Sequence, residues 1–209
     1  MQSEHLGAVP LFPLPNVVLL PAGVIPLHVF ESRYCALVEE VLRSNQLIGL
    51  PQLAPGWEPQ YHAEPTIYPV FGLGRIVEHE SLDDGRYNIL VEGIGRVRLL
   101  KESLHPQGFR QAEVSLIEDE TGDPIQLEKA HKQSKITLGQ LISLSPKMRQ
   151  LGALLELNLD AADFADTLAH ALMSQPADRQ NYIETSRLSD RMRLTQQTLE
   201  TVLTEIMSG

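Results

Sequence analysis

The chain has 209 residues, enough to bury a substantial core in one large domain or two small ones. Hydrophobic residues make up 43% and charged residues 21%, the balance of an ordinary globular protein rather than a disordered or fibrous one. Seventeen basic residues against 27 acidic ones leave a net charge of −10, which weighs against non-specific attachment to nucleic acid or anionic lipid.

Residues 6–30 contain no Asp, Glu, Lys or Arg. A run of that length can mark a membrane span. Pro10, Pro13, Pro15, Pro21 and Pro26 all fall inside it. Each proline costs a helix interior about 3 kcal/mol, so a spanning helix is excluded. No Lys or Arg precedes the run, so it is not read as a secretory signal either. The expectation is a pair of buried strands, at 17–20 and 24–30, joined by a turn at Pro21-Ala22-Gly23. Pro26 then sits at a sheet edge or bulge.

A helix is predicted over 32–43, capped by Ser32. Tyr34, Leu37, Val38, Val41 and Leu42 form its apolar face. A short strand follows at 47–50. Residues 51–69 read as a loop holding five prolines, a length that marks functional or disordered loops. This loop carries the only tryptophan, Trp57, together with Tyr61 and Tyr68. These three are the candidate binding residues, because Trp and Tyr bury large area with few torsions. The competing expectation is that the loop folds back and its aromatics cap the barrel.

A hairpin is predicted next, with strands at 72–80 and 86–100 and the Asp84-Gly85 turn signal between them. Gly93 and Gly95 break the alternation and are read as a bulge or bend. Gly93 is expected to need backbone angles closed to a β-branched residue. One more strand is expected at 109–117. From Asp123 onward the pattern turns helical. Asp123-Pro124, Ser145-Pro146 and the pair Asp160 and Asp163 read as helix starts, and Thr185 or Ser186 opens a last helix. The fold class is α+β, with a β-rich domain at 1–122 and a helical bundle at 123–209.

The chain offers little chemistry. "GLGRIV" and "GIGRVR" lack a third glycine and lie within strands, so no dinucleotide site is expected. No P-loop, no G-x-S-x-G and no H-E-x-x-H occurs. Cys35 flanks the apolar helix face and reads as structural, and it leaves no partner for an intrachain disulfide. A reducing cytoplasm suits it. His28 and His170 lie among apolar residues and read as hydrogen-bonded core histidines. His79, Glu80, Asp83 and Asp84 read as a solvated hairpin tip. Arg75, Arg86, Arg96, Arg98 and Lys101 cluster in the hairpin and read as a solvated sheet face, with RNA phosphate as the alternative ligand. No catalytic residue, cofactor or metal is expected.

Residues 11–42, "LFPLPNVVLLPAGVIPLHVFESRYCALVEEVL", resemble the start of the N-terminal domain of ATP-dependent Lon proteases. Leu14, Val17, Val18, Leu19, Pro21, Pro26, Leu27, Phe30 and Glu31 match that pattern. Val91, Glu92, Gly93, Arg96 and Val97 match the family's second block, and residues 166–172 and 178–203 resemble the helical part that follows. The resemblance implies a PUA-like β pseudobarrel followed by a helical bundle, and recognition of unfolded or damaged polypeptide. A full Lon continues into ATPase and Ser-Lys peptidase modules. These 209 residues contain neither, so no proteolytic residue carries over. The expected function is a stand-alone, non-catalytic polypeptide-binding module. A separate protease is a further partner, and no membrane is involved. A PUA-like RNA-binding protein is the alternative, which the acidic balance disfavours.

Overall fold

A computed structural model describes residues 5–60 and 64–208. The chain divides into two compact units, Met1–Glu118 and Asp119–Gly209.

The first unit is built on strands β1 (His5–Leu11), β2 (Val24–Val29), β3 (Leu47–Leu50), β4 (Val70–Ser81), β5 (Tyr87–Leu104) and β6 (Arg110–Leu116), with helix α1 (Ser32–Arg43) between β2 and β3. The sheet order is β2-β5-β4-β3-β1-β6, and β5 also pairs with β6. That last pairing closes five strands into a ring and leaves β2 hung on the outside of it. The length of β5 makes this possible. One of its edges follows β4, while the other takes β2 along residues 87–92 and β6 along 97–104.

Two apolar clusters fill the unit. One gathers Leu37, Val38 and Val41 of α1 against Ile76, Ile89, Val91 and Leu19. The other joins Val9 and Leu11 of β1 to Phe71, Val97 and Val114. The α1 face is the predicted one, but Ser32 is the first helical residue rather than its cap. Glu31 holds the cap position and makes no capping side-chain bond.

The uncharged opening run is folded differently from the expected strand pair. Residues 5–11 form a strand, and 17–20 do not. Val18, Leu19 and Leu20 are nonetheless buried. Their backbone lies on glycines of the neighbouring strands: a Cβ built on Gly72 would sit 2.1 Å from the Leu19 carbonyl oxygen, and one on Gly93 2.1 Å from that of Leu20. Gly93 is therefore required by close approach. Its backbone stays out of the left-handed region, contrary to the expectation from sequence. The predicted bulge is present beside it. Leu73 pairs with Gly95 and Gly74 with Gly93, which makes Ile94 the extra residue.

The second unit holds helices α2 (Pro124–Leu144), α3 (Ala153–Glu156), α4 (Ala161–Leu172), α5 (Pro176–Glu184) and α6 (Leu188–Ser208). Asp123 caps α2 by accepting from the backbone N–H of Ile125 and Gln126, and Asp160 caps α4 by accepting from Asp163. Ser145-Pro146 opens a 3₁₀ segment, Pro146–Gly152, instead of an α-helix. The last helix begins at Leu188, past Thr185 and Ser186, where the Leu188 N–H is held by the Glu120 carbonyl at 2.7 Å. Leu138, Leu141, Phe164, Leu168, Met192 and Leu199 form this unit's core. Among the described residues no helix is long and apolar enough to cross a membrane.

Candidate functional site

The loop predicted to bind is tied at its base. Leu53 bridges Ile67, the Ala54 N–H donates to the Thr66 carbonyl at 2.8 Å, and the Tyr68 N–H donates to the Gln52 carbonyl at 3.0 Å. Trp57 is half-buried and packs on the cluster that contains Phe71 and Val97, whereas α1 belongs to the other cluster. Tyr68 is half-buried too, and Tyr61 lies outside the described residues. At the loop's end, Glu64 to Ile67 with Leu99, Glu102, Ser103 and Leu104 line a groove of about 380 Å³. Arg110 stiffens it, forking onto Glu102 and donating to the Pro65 carbonyl at 2.7 Å. Leu104 stands exposed at its rim.

A second surface lies on the outer face of β2, β5 and β4. Along β2, Val29 is buried and Ile25 and Leu27 pack on the α1 cluster, so the alternate residues Val24, Pro26 and His28 point out and are exposed. In β5, Ile89 and Val91 are buried and Asn88, Leu90 and Glu92 take the outer face. The register sets Val24 beside Glu92, Pro26 beside Leu90 and His28 beside Asn88. In β4 a bulge decides what arrives there. Ile76 pairs with Val91, but the next pair is Glu78 with Leu90. Val77 is thus an extra residue, and it shifts the alternation so that Glu78 and Glu80 join the outer face. Pro26, His28, Glu78, Glu80, Asn88 and Leu90 of this face line a shallow groove of about 470 Å³, and Val24 and Glu92 lie beyond its end.

A polar chain crosses this face. Arg86 Nη1 lies 3.1 Å from His28 Nε2, His28 Nδ1 lies 2.8 Å from Asn88 Oδ1, and Asn88 Nδ2 donates to Glu80 Oε2 at 2.8 Å. An arginine only donates. His28 Nε2 is therefore the acceptor, and its Nδ1 carries the proton and donates to Asn88. Arg86 also grips Asp84 at 2.6 Å, and that bond holds the Asp84 carboxyl below its ordinary range. His28 is thus an exposed surface residue rather than the core histidine expected from its apolar neighbours in sequence. Arg96, by contrast, is buried, so the arginines of the hairpin do not share one open face.

The helical unit contains a buried charge cluster. Arg191 is fully buried, forks onto both Asp119 oxygens at 2.6 Å and reaches to 3.5 Å from Asp166. The Tyr182 hydroxyl donates to Asp166 Oδ1 at 2.5 Å. Burial works against the Arg191 charge, but the Asp119 bonds and the Asp166 charge outweigh it and raise the guanidinium pKa. Burial, with Asp166 beside it, pushes the Tyr182 hydroxyl well up. The Asp119 fork and the Tyr182 bond to Asp166 hold the set together as a structural tie, although Arg191 Nε makes only the longer ionic approach to Asp166 and no hydrogen bond among the described residues. Cys35 is half-buried, its thiol raised by burial and directed at the Val29 carbonyl. No group of three His, Cys, Asp or Glu among the described residues is placed to hold a metal ion.

Residues 8–201 match the family described as the ATP-dependent protease La (LON) substrate-binding domain. The Lon protease of Anaeromyxobacter dehalogenans is 27% identical over 197 residues, 93% of this chain and 23% of that protein. Lon protease 2 of Myxococcus xanthus is 27% identical over 187 residues, 88% of this chain and 22% of that protein. The chain thus spans under a quarter of these relatives' length. A crystal structure of a Lon N-terminal domain protein from Xanthomonas campestris superposes with a TM-score of 0.65 at 24% identity, covering 90% of this chain and 96% of that one. The N-terminal domain of Lon protease from the Mycobacterium avium complex superposes with a TM-score of 0.70 at 16% identity, covering 92% and 98%.

Proposed function

Because the chain belongs to the Lon substrate-binding domain family, we propose that it binds unfolded or damaged polypeptide and performs no chemistry on it. The family match over 8–201 carries this reading. It is supported by two surfaces in the β-rich domain, taken as residues 1–122, that combine exposed apolar groups with fixed polar ones. The match is to the substrate-binding domain alone, which supports a role in recognition on behalf of a protease, in the cytoplasm. The helical domain is taken as 123–209. The burial of Arg96 and the pairing of Arg86 with Asp84 favour polypeptide over RNA, since both remove cations from a phosphate-binding stripe.

Trp57 and Tyr68, with Tyr61 in the same loop, are the proposed contacts. Trp57 is half-buried, so a ligand has indole surface left to cover. Its fluorescence, the only tryptophan signal in the chain, should shift to the blue and saturate on titration with a permanently unfolded, apolar-rich polypeptide. Trp57→Phe should weaken binding at unchanged thermal stability. Absence of binding, measured independently by sedimentation, overturns the function. Binding that Trp57→Phe leaves intact overturns the role of the loop alone.

A further inference from the structure

The outer face of β2, β5 and β4 is apolar along its middle and acidic along its border. Val24, 42% exposed, precedes Pro26 on the outer face of β2, Phe30, 64% exposed, stands just past the end of β2 stacked on His28, and Leu90 lies next to Pro26 on β5. Glu78, Glu80 and Glu92 surround this strip, and the exposed Arg75 of β4 stands in register with Glu92 as a cation on that border. Glu80 is engaged by Asn88, but Glu78 and Glu92 have no ion-pair partner among the described residues. Arg86, the nearest strong cation to His28, is already taken by Asp84.

We propose that this face holds an extended polypeptide segment that is apolar and carries Lys or Arg, a selectivity that rests on the polypeptide-binding function above. The apolar strip supplies area, and the two unpaired carboxylates supply the charge preference. The chain's net charge of −10 repels acidic segments in the same sense. The Arg86-His28-Asn88-Glu80 chain fixes the floor before the ligand arrives, so little side-chain freedom is lost on binding. The ligand lies across the face rather than extending the sheet. β2 is hydrogen-bonded to β5 alone, but Pro26 has no N–H with which to continue a ladder into an added strand.

The test uses the full chain and two fluorescein-labelled unfolded peptides of equal length and equal apolar content, one bearing Lys and the other Glu. The Lys peptide should bind about tenfold more tightly, and the difference should shrink in high salt. The exposed double variant Glu78→Lys/Glu92→Lys, checked for native circular dichroism, should lose that preference or reverse it. Hydrogen exchange with the Lys peptide bound should show protection in β2 and β4. If the double variant keeps the wild-type preference, or protection is confined to residues 51–69, this inference fails and polypeptide binding stands. If neither peptide binds, both fail.

Discussion

Gly93→Ala should unfold the β-rich unit far more readily than any surface change. The added methyl would lie 2.1 Å from the Leu20 carbonyl oxygen, 3.0 Å from its carbon and 3.2 Å from Leu19 Cγ. The first contact is with backbone, so no rotamer change relieves it. To reach ordinary contact the Leu20 peptide must retreat by about 1 Å. Two hydrogen bonds hold that segment in place: Ala22 N–H to the Gly93 carbonyl at 2.9 Å, and Gly93 N–H to the Gly23 carbonyl at 2.7 Å. Retreat strains both and displaces Leu19 and Leu20, which are fully buried. Overpacking of this kind costs about 1–3 kcal/mol, and weakening two backbone bonds adds roughly 1 kcal/mol. The expected loss is about 3 kcal/mol. Gly95→Ala is the control. Its methyl meets only Leu116 Cδ2, at 3.9 Å, and it should change stability by less than about 0.5 kcal/mol. Urea denaturation followed by Trp57 fluorescence reads the relevant unit, because Trp57 packs on a cluster within it. Equal midpoints for the two variants would refute the close-approach argument.

Tyr182→Phe removes the donor to Asp166 and leaves a buried carboxylate short of a partner. It should cost about 1–3 kcal/mol, read by thermal melting in the far ultraviolet, and an unchanged melt counts against the tie. His131 and His170 should make the helical unit acid-sensitive. Burial lowers both pKa values below 6.5, with Lys135 adding to the effect on His131 and Arg179 to that on His170. The unfolded chain then binds protons that the folded chain refuses, so stability is full above pH 6.5 and falls as pH drops below it. The urea midpoint at pH 5.5 should lie below that at pH 7.5, and the gap should narrow in His131→Gln/His170→Gln; a gap that persists unchanged assigns the sensitivity elsewhere.

The parts of the fold that were legible in sequence are those whose signal is local. Asp123-Pro124 and Asp160 with Asp163 announce helix starts through their own side chains, and Asp84-Gly85 announces a tight turn. The α1 face follows from spacing alone. The opening run misled because its order depends on distant partners. Residues 17–20 are apolar and β-branched like a strand, yet they lie on glycines of β4 and β5 instead of joining a ladder. Residues 5–11 became a strand because β6 and β3 receive them. The outer face of β2 was hidden for a related reason. A strict count of two from Ile76 sends Glu78 and Glu80 inward, and only the extra residue at Val77 turns them out. His28 was misplaced because hydrophobic neighbours in sequence say nothing about which side of an edge strand a residue takes.

The ring of strands also sets an order of events at the ribosome. β1 is the piece that joins β3 to β6, with His5 in register with Ser115 and Leu11 with Arg110. It is the first of the six strands to be made, and its β6 partner is the last. Roughly a hundred residues must leave the exit tunnel before its partner exists, an interval of about 5–20 s at ordinary elongation rates. Throughout that time β1, with Val9 and Leu11 destined for the core, has no strand on its β6 side. A nascent chain stalled before residue 110 should therefore present an open sheet edge to chaperones, and release of the stall past β6 should abolish that contact.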